Sequence, residues 1–189
     1  VNEYSLSTGF DISTASYVQN FSAATQFDAT YSFAFSSDGN KMYVGGTGTA
    51  AASYARTIAS YSLSTPFDLS TASFTYILVL PAHDITGIAF NTNGTEMYVV
   101  AGSDETVNKY SLTTAFDLST ASFVVNFSIT SQDTNPWGIA FNSSTSKMFV
   151  VGQNDGDLNE YTLPFSSVTL GTGSFASADV GKTIEANDG

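Results

Sequence analysis

Apolar and polar residues alternate at period two in short runs along this chain. Val107-Asn108-Lys109-Tyr110-Ser111-Leu112 is the clearest case, and that alternation predicts a half-buried strand. Small clusters of Asn, Gly, Ser and Thr separate the runs and read as turns. In the stretch 87–129, Ile88-Ala89-Phe90 predicts a first strand after a glycine, and Asn91 to Gly94 a turn. Met97 to Val100 predicts a second strand, Ser103-Asp104-Glu105 a polar connection, Val107 to Leu112 a third strand and Ser122 to Ile129 a fourth. No segment keeps a helical period.

The same succession recurs. One block reads YSLSTGFDISTASY at 4–17, YSLSTPFDLSTASF at 61–74 and YSLTTAFDLSTASF at 110–123, with a decayed copy, EYTLPF, at 160–165. A second reads SFAFSSDGNKMYVGG at 32–46, GIAFNTNGTEMYVVA at 87–101 and GIAFNSSTSKMFVVG at 138–152. The two blocks alternate with a unit of about 50 residues, and four antiparallel strands in a unit of that length predict a β-propeller blade. A β-solenoid has shorter coils and lacks hairpin turns at these places.

The expected fold is therefore all-β, an arc of about three and a half four-stranded antiparallel blades belonging to a closed ring of about seven. Val1-Asn2-Glu3-Tyr4 matches the third strand of a blade, so residues 1–30 form a half blade. Full blades follow at 31–80 and 81–130, then a fourth at 131–170, with a linker or further β-rich module at 171–189. Such an arc has open edges that invite pairing, and either upstream blades or a second copy would close it. The chain reads as part of a longer product.

The phrase FDLSTAS falls between third and fourth strands, which makes it a structural joint at Phe10 and Asp11, Phe67 and Asp68, and Phe116 and Asp117. Phe67 and Leu69 are expected to turn inward and close the end of the blade, and Asp68 to cap the turn by accepting backbone N–H bonds from Ser70 and Thr71. On that reading Phe67→Ala is a core deletion costing about 3–5 kcal/mol. The competing reading is a row of Asp and Ser side chains that binds cations or sugar.

Composition narrows the function. There are 17 Asp and Glu against 5 Lys and Arg, a net charge of −12, so nucleic acid and anionic membrane surfaces are poor partners. The longest apolar run, Tyr76 to Pro81, is too short to insert in a bilayer as a helix. With no cysteine, disulfides and thiolate metal sites are excluded. An acidic, Cys-free surface rich in Ser and Thr fits a virion surface or an extracellular setting.

Function is expected where the copies differ. The segments leading into the first strands, QFDATYSFAF, PAHDITGIAF and DTNPWGIAF, hold the only His (His83), the only Trp (Trp137), and Asp84 and Asp133. These are candidate ligand- or partner-binding residues, together with the Asp104-Glu105 cluster. The plainer reading is a loop hydrogen bond between His83 and Asp84, and a Trp137 that plugs a channel. Asn154, Asp155 and Asp157 offer hard oxygens of the sort calcium takes, though few of the six to eight it needs; a solvated acidic loop is the alternative. No cofactor is expected otherwise. One His, no Cys and no G-x-S-x-G elbow give no nucleophile–base pair, so the chain reads as a non-enzyme.

GIAFNTNGTEMYVV at 87–100 resembles the repeat of YVTN- and lactonase-like seven-bladed propellers. The unit YSLSTPFDLSTASF is similar to repeats in structural proteins of tailed bacteriophages, and SFASADVGKTIEANDG at 174–189 resembles a segment of phage tail and fibre proteins. The resemblance implies a tail, fibre or decoration component that displays loops for host attachment or anchors other subunits. Its partners would be other virion or surface proteins, a copy of itself, or a host receptor or glycan. A microbial adhesion or surface-layer propeller is the alternative, and a lactonase-like hydrolase a remote one, since no lactonase metal constellation maps onto matching positions. The last blade departs from the pattern at Phe149, Ser144-Thr145 and LPFSSVT, which marks a capping or junction blade.

Overall fold

The computed structural model describes residues 1–49, 56–81, 84–154 and 156–163. Its thirteen strands fall into a two-stranded sheet, two four-stranded sheets and a three-stranded sheet. The half blade is β1 (Asn2–Leu6) with β2 (Ala15–Asn20). The second blade runs β3 (Phe27–Phe35), β4 (Lys41–Gly48), β5 (Arg56–Leu63) and β6 (Ala72–Leu80). The third runs β7 (Ile85–Phe90), β8 (Glu96–Ala101), β9 (Thr106–Leu112) and β10 (Ala121–Ser128). The fourth contributes β11 (Pro136–Phe141), β12 (Lys147–Gly152) and β13 (Leu158–Thr162). Every pairing is antiparallel between sequence neighbours, the meander that the alternating pattern predicts. The tail at 174–189, with its DVGK segment, lies outside the described residues.

The registers repeat. Phe35 faces Met42, Phe90 faces Met97 and Phe141 faces Met148 across the first hairpin of each blade. Each outer strand carries one bulge just past its aromatic residue, between Tyr17 and Gln19, Phe74 and Tyr76, and Phe123 and Val125. Such bulges twist an edge away from further pairing. They matter here because β2, β6 and β10 contain no charged residue.

The apolar core lies between blades. Met42, Val44, Tyr61, Leu63 and Leu69 of the second blade pack with Val1, Phe21, Ala23 and Phe27. Tyr43 and Ile58 of the second blade join Ile85, Ile88, Met97 and Leu118 of the third. Tyr98, Val100 and Val107 of the third blade meet Met148 and Val150 of the fourth. No blade buries its faces alone, so each depends on its neighbours.

Candidate functional site

The repeated joint is built from its own side chains. In each copy Asp11, Asp68 or Asp117 caps a single 3-10 turn, and its Oδ1 accepts the backbone N–H and the hydroxyl of Ser13, Ser70 or Ser119 at 2.6–3.0 Å. The Ser hydroxyl first, and the backbone N–H second, hold each carboxyl below its usual range. The expected second backbone donor differs: Thr71 N–H bonds the Asp68 carbonyl instead, as a 3-10 turn requires. One oxygen of each carboxylate is thus committed to the turn, which suits a joint better than a row of ligand sites.

The expected direction of the phenylalanines needs correction. Leu69 and Leu118 do turn inward and are buried. Phe67 does not: it is 52% exposed, its backbone is left-handed at φ 62°, and its ring lies on Gly39 at the tip of the β3–β4 hairpin. Phe116 (φ 59°) lies on Gly94 in the same way. A Cβ on either glycine would occupy the ring itself, and both glycines have φ of 72°, so two separate constraints select glycine there. In the fourth blade Thr145 holds that tip at φ 56°. Phe67→Ala is thus not a full core deletion, and the loss expected from its sequence position shrinks accordingly. Phe10, at the same place in the half blade, is fully exposed.

The joint also contacts the preceding blade, a role its sequence does not announce. The Phe116 carbonyl accepts from Lys41 Nζ at 2.9 Å and from the Tyr43 hydroxyl at 2.6 Å. Burial, followed by the charges of Asp117 and Asp38, pushes the Tyr43 phenol far up, so it stays a donor. The second joint is met from the half blade, where Glu3 Oε2 accepts the Leu69 N–H at 3.2 Å and Gln19 links Glu3 to Asp68. One repeat on, Glu96 replaces Lys41. Tyr98 donates to Glu96 at 2.9 Å, and Lys109 pairs with Glu96 at 2.6 Å. Burial pushes the Glu96 carboxyl up, but its bonds to Lys109 and Tyr98 outweigh that and hold it below its ordinary value. This pair lines a cavity of about 620 Å³ between the third and fourth blades, with Asn91, Asn93 and Ser144.

Of the residues singled out as functional, the described ones fall in the lead-in segments (Asp84, Asp133 and Trp137) and in the connections between second and third strands (Asp104, Glu105, Asn154 and Asp157). Asp84 pairs with Arg56 at 3.2 Å and accepts the Ser103 hydroxyl, tying the second blade to the third. Its expected partner, His83, lies outside the described residues. Glu105 is a turn residue at φ 54°, and its carbonyl accepts the Ile129 N–H at 2.9 Å; Asp104 sits beside it in the same turn.

Asp133 is buried, accepts the Asn135 N–H at 2.8 Å, and lies where any side chain on Gly152 would have to go. It takes the place of Phe27: both close a turn whose N–H bonds the carbonyl four residues back, at Ala23 and Ile129. Asp133 is therefore an internal turn carboxylate, removed from the solvent where a ligand would meet it. Trp137 donates to Asn135 Oδ1 at 3.2 Å and sets its ring edge-on to Tyr31 of the second blade, centroids 6.2 Å apart. It stays 39% exposed.

Asn154 donates to Thr134 at 3.3 Å, Asp157 is exposed, and Asp155 lies outside the described residues. Among the described residues no three His, Cys, Asp or Glu side chains come together as a metal-holding group. No helix among them is long and apolar enough to cross a membrane.

No protein-family model matches the chain, and no curated protein is similar to it. Solved structures are similar in fold. A Lactobacillus plantarum protein matches with 18% identity and a TM-score of 0.57, over 87% of this chain and 45% of that one. Hydrazine synthase from Kuenenia stuttgartiensis matches at 9% and 0.51, over 71% and 45%. The β-propeller domain of Cps50 (Swd1) from Myceliophteria thermophila matches at 14% and 0.50, over 74% and 38%. The chain thus spans less than half the length of each. Its four-stranded antiparallel sheets and this likeness define a part of a β-propeller.

Proposed function

We propose that the chain is a non-enzymatic structural and binding module of a virus particle, in which propeller blades carry a recognition face. One observation carries this reading: the repeated residues are consumed in building blades, while one face collects the unrepeated Asp84, Ser103, Asn135, Trp137 and Asn154. Trp137 offers a flat, half-open aromatic surface flanked by amide groups, a chemistry suited to a glycan or a polar protein surface. The carboxylates Asp84 and Asp133 are engaged in an ion pair and a turn, which favours support over proton transfer. The virion setting rests on the phage-like repeat and the acidic, Cys-free composition.

Antibodies raised against the chain should label purified particles in electron micrographs. The recombinant chain should adsorb to host cells, and Trp137→Ala should weaken adsorption about tenfold, a loss on the scale of one well-placed aromatic contact, while Tyr31→Ala, which removes the same inter-blade ring pair, should lower the melting temperature comparably without that loss of adsorption. Unlabelled particles combined with labelled cell surfaces would move the module to a microbial adhesin.

A further inference from the structure

The third blade carries a pair of exchanges that no other blade has. Where the second blade has Lys41 and Ser60, it has Glu96 and Lys109. The exchanges fall on adjacent strands, because Tyr98 faces Lys109 as Tyr43 faces Ser60. Lys41 and Tyr43 both donate to the Phe116 carbonyl of the next blade. Glu96 cannot make such a bond, since a carboxylate and a carbonyl both accept. Instead Tyr98 and Lys109 donate to Glu96, so the cluster that fastens a neighbour in the second blade is closed on itself in the third. The fourth blade reverses the signs with Lys147 and Glu160, but Phe149 stands where the tyrosine was and the pair is about half exposed.

The cavity of about 620 Å³ that this cluster lines is accordingly polar, and its volume is that of a small-molecule site. Asn93 Oδ1 accepts the Thr95 N–H at 3.1 Å and the Thr95 hydroxyl at 2.6 Å, while its Nδ2 has no partner among the described residues. The Ser143 hydroxyl has none there either, and Lys109 carries protons beyond the one given to Glu96. Glu96 and Lys109 keep 24% and 25% of their side-chain surface open, enough for a ligand to touch both. Their charges cancel, which disfavours an ion of either sign. Leu163 is the one aliphatic side chain on the wall, which disfavours a lipid. Donors and acceptors side by side suit a neutral molecule rich in hydroxyls, each of which does both.

We propose that this cavity binds a neutral saccharide. Glu96 accepts from one ring hydroxyl, Lys109 donates to the next, and Asn93 and Ser143 meet hydroxyls from the hairpin tips. Those tips, β7–β8 and β11–β12, lie at the opposite end of the strands from Trp137, so the site is separate from the recognition face and does not depend on it. An ion pair that only steadies its blade, as Lys147 and Glu160 can, would give neither a saturable contact nor a dependence on Ser143.

Amide NMR of the isotope-labelled full chain, titrated with glucose, galactose, N-acetylglucosamine and maltose, tests this. At least one sugar should produce saturable shifts at 91–96, Lys109 and 143–146. Sorbitol, which lacks the ring and must be ordered on binding, should bind about tenfold more weakly. Ser143→Phe, which fills the cavity, should abolish the shifts. Should that variant lower the melting temperature, Ser143→Gln takes its place. Glu96→Gln with Lys109→Met should weaken binding about tenfold, the scale of one charge-assisted hydrogen bond. The matched pair Lys147→Met with Glu160→Gln should leave binding unchanged. No shift with any of the sugars overturns the proposal, as do binding that a filled cavity leaves intact and shifts gathered at Trp137 and Asn135. Equal binding of sorbitol overturns the saccharide assignment.

Discussion

In the third blade the phrase FDLSTAS buries Leu118 and seats Phe116 on a neighbouring glycine. In the half blade its copy FDISTAS, with the same left-handed Phe and the same capped turn, leaves Ile12 and Phe10 in solvent. The backbone of the joint is therefore local property, fixed by Asp, Ser and Thr within seven residues. Its energetic value is tertiary, because it appears only where a glycine-tipped hairpin lies beneath it. Leu118→Ala should consequently cost about 3–4 kcal/mol as a buried deletion, while Ile12→Ala should stay within about 0.5 kcal/mol. Urea unfolding of the two variants measures both numbers. Equal losses would mean that Ile12 is covered in solution, and the contrast between the two regions would collapse.

A smaller effect isolates the contact between ring and glycine. Gly94→Val places a branched side chain at φ 72°, within the Phe116 ring, and should cost about 2–3 kcal/mol. If the clash supplies part of that, Phe116→Ala should relieve it, so the double variant should be more stable than the sum of single losses predicts. A strictly additive cycle would assign the whole cost to backbone strain. Thr145 shows that the fold accepts a non-glycine tip where no such ring is seated among the described residues.

How far the sequence disclosed all this depends on the distance over which each feature is determined. The strands of the blades were readable because period-two alternation and Asn-Gly or Asp-Gly turns are local. The capping role of Asp68 was readable for the same reason, since donor and acceptor lie two residues apart. The orientation of Phe67 was not, because the glycine that receives its ring belongs to a hairpin 28 residues upstream. Asp133 looked like a surface ligand because it is charged. Its burial follows from occupying the slot of Phe27, which aligning SAATQF with SITSQD would have disclosed. The exchange of Lys41 for Glu96 was visible in the repeats, but its consequence needed the inter-blade partner, the Phe116 carbonyl, which no pattern along the chain names.

The smallest expected effect tests whether the joint is as local as the comparison demands. Asp11, Asp68 and Asp117 all titrate below the usual carboxylate range when folded, and the turn residue Asp38 is lowered to about 2 by Ser36 and Asn40. A carboxyl whose folded pKa is depressed contributes stability that is complete above its unfolded pKa, about 3.9, and that fades as pH falls through the folded value. The loss therefore begins as pH falls below about 4 and continues downward from there. Asn keeps a capping oxygen but cannot titrate, so Asp117→Asn, Asp68→Asn and Asp11→Asn should each flatten the fall of melting temperature with pH over that range. Because the Asp11 cap makes the same two Ser bonds as the Asp117 cap, while Asp68 also accepts from Gln19, its variant should do so as much as Asp117→Asn, even though Phe10 and Ile12 rest on nothing. An Asp11 variant with an unchanged acid slope would mean that the cap forms only under a hairpin. The joint would then be a product of the whole blade and not of its own seven residues.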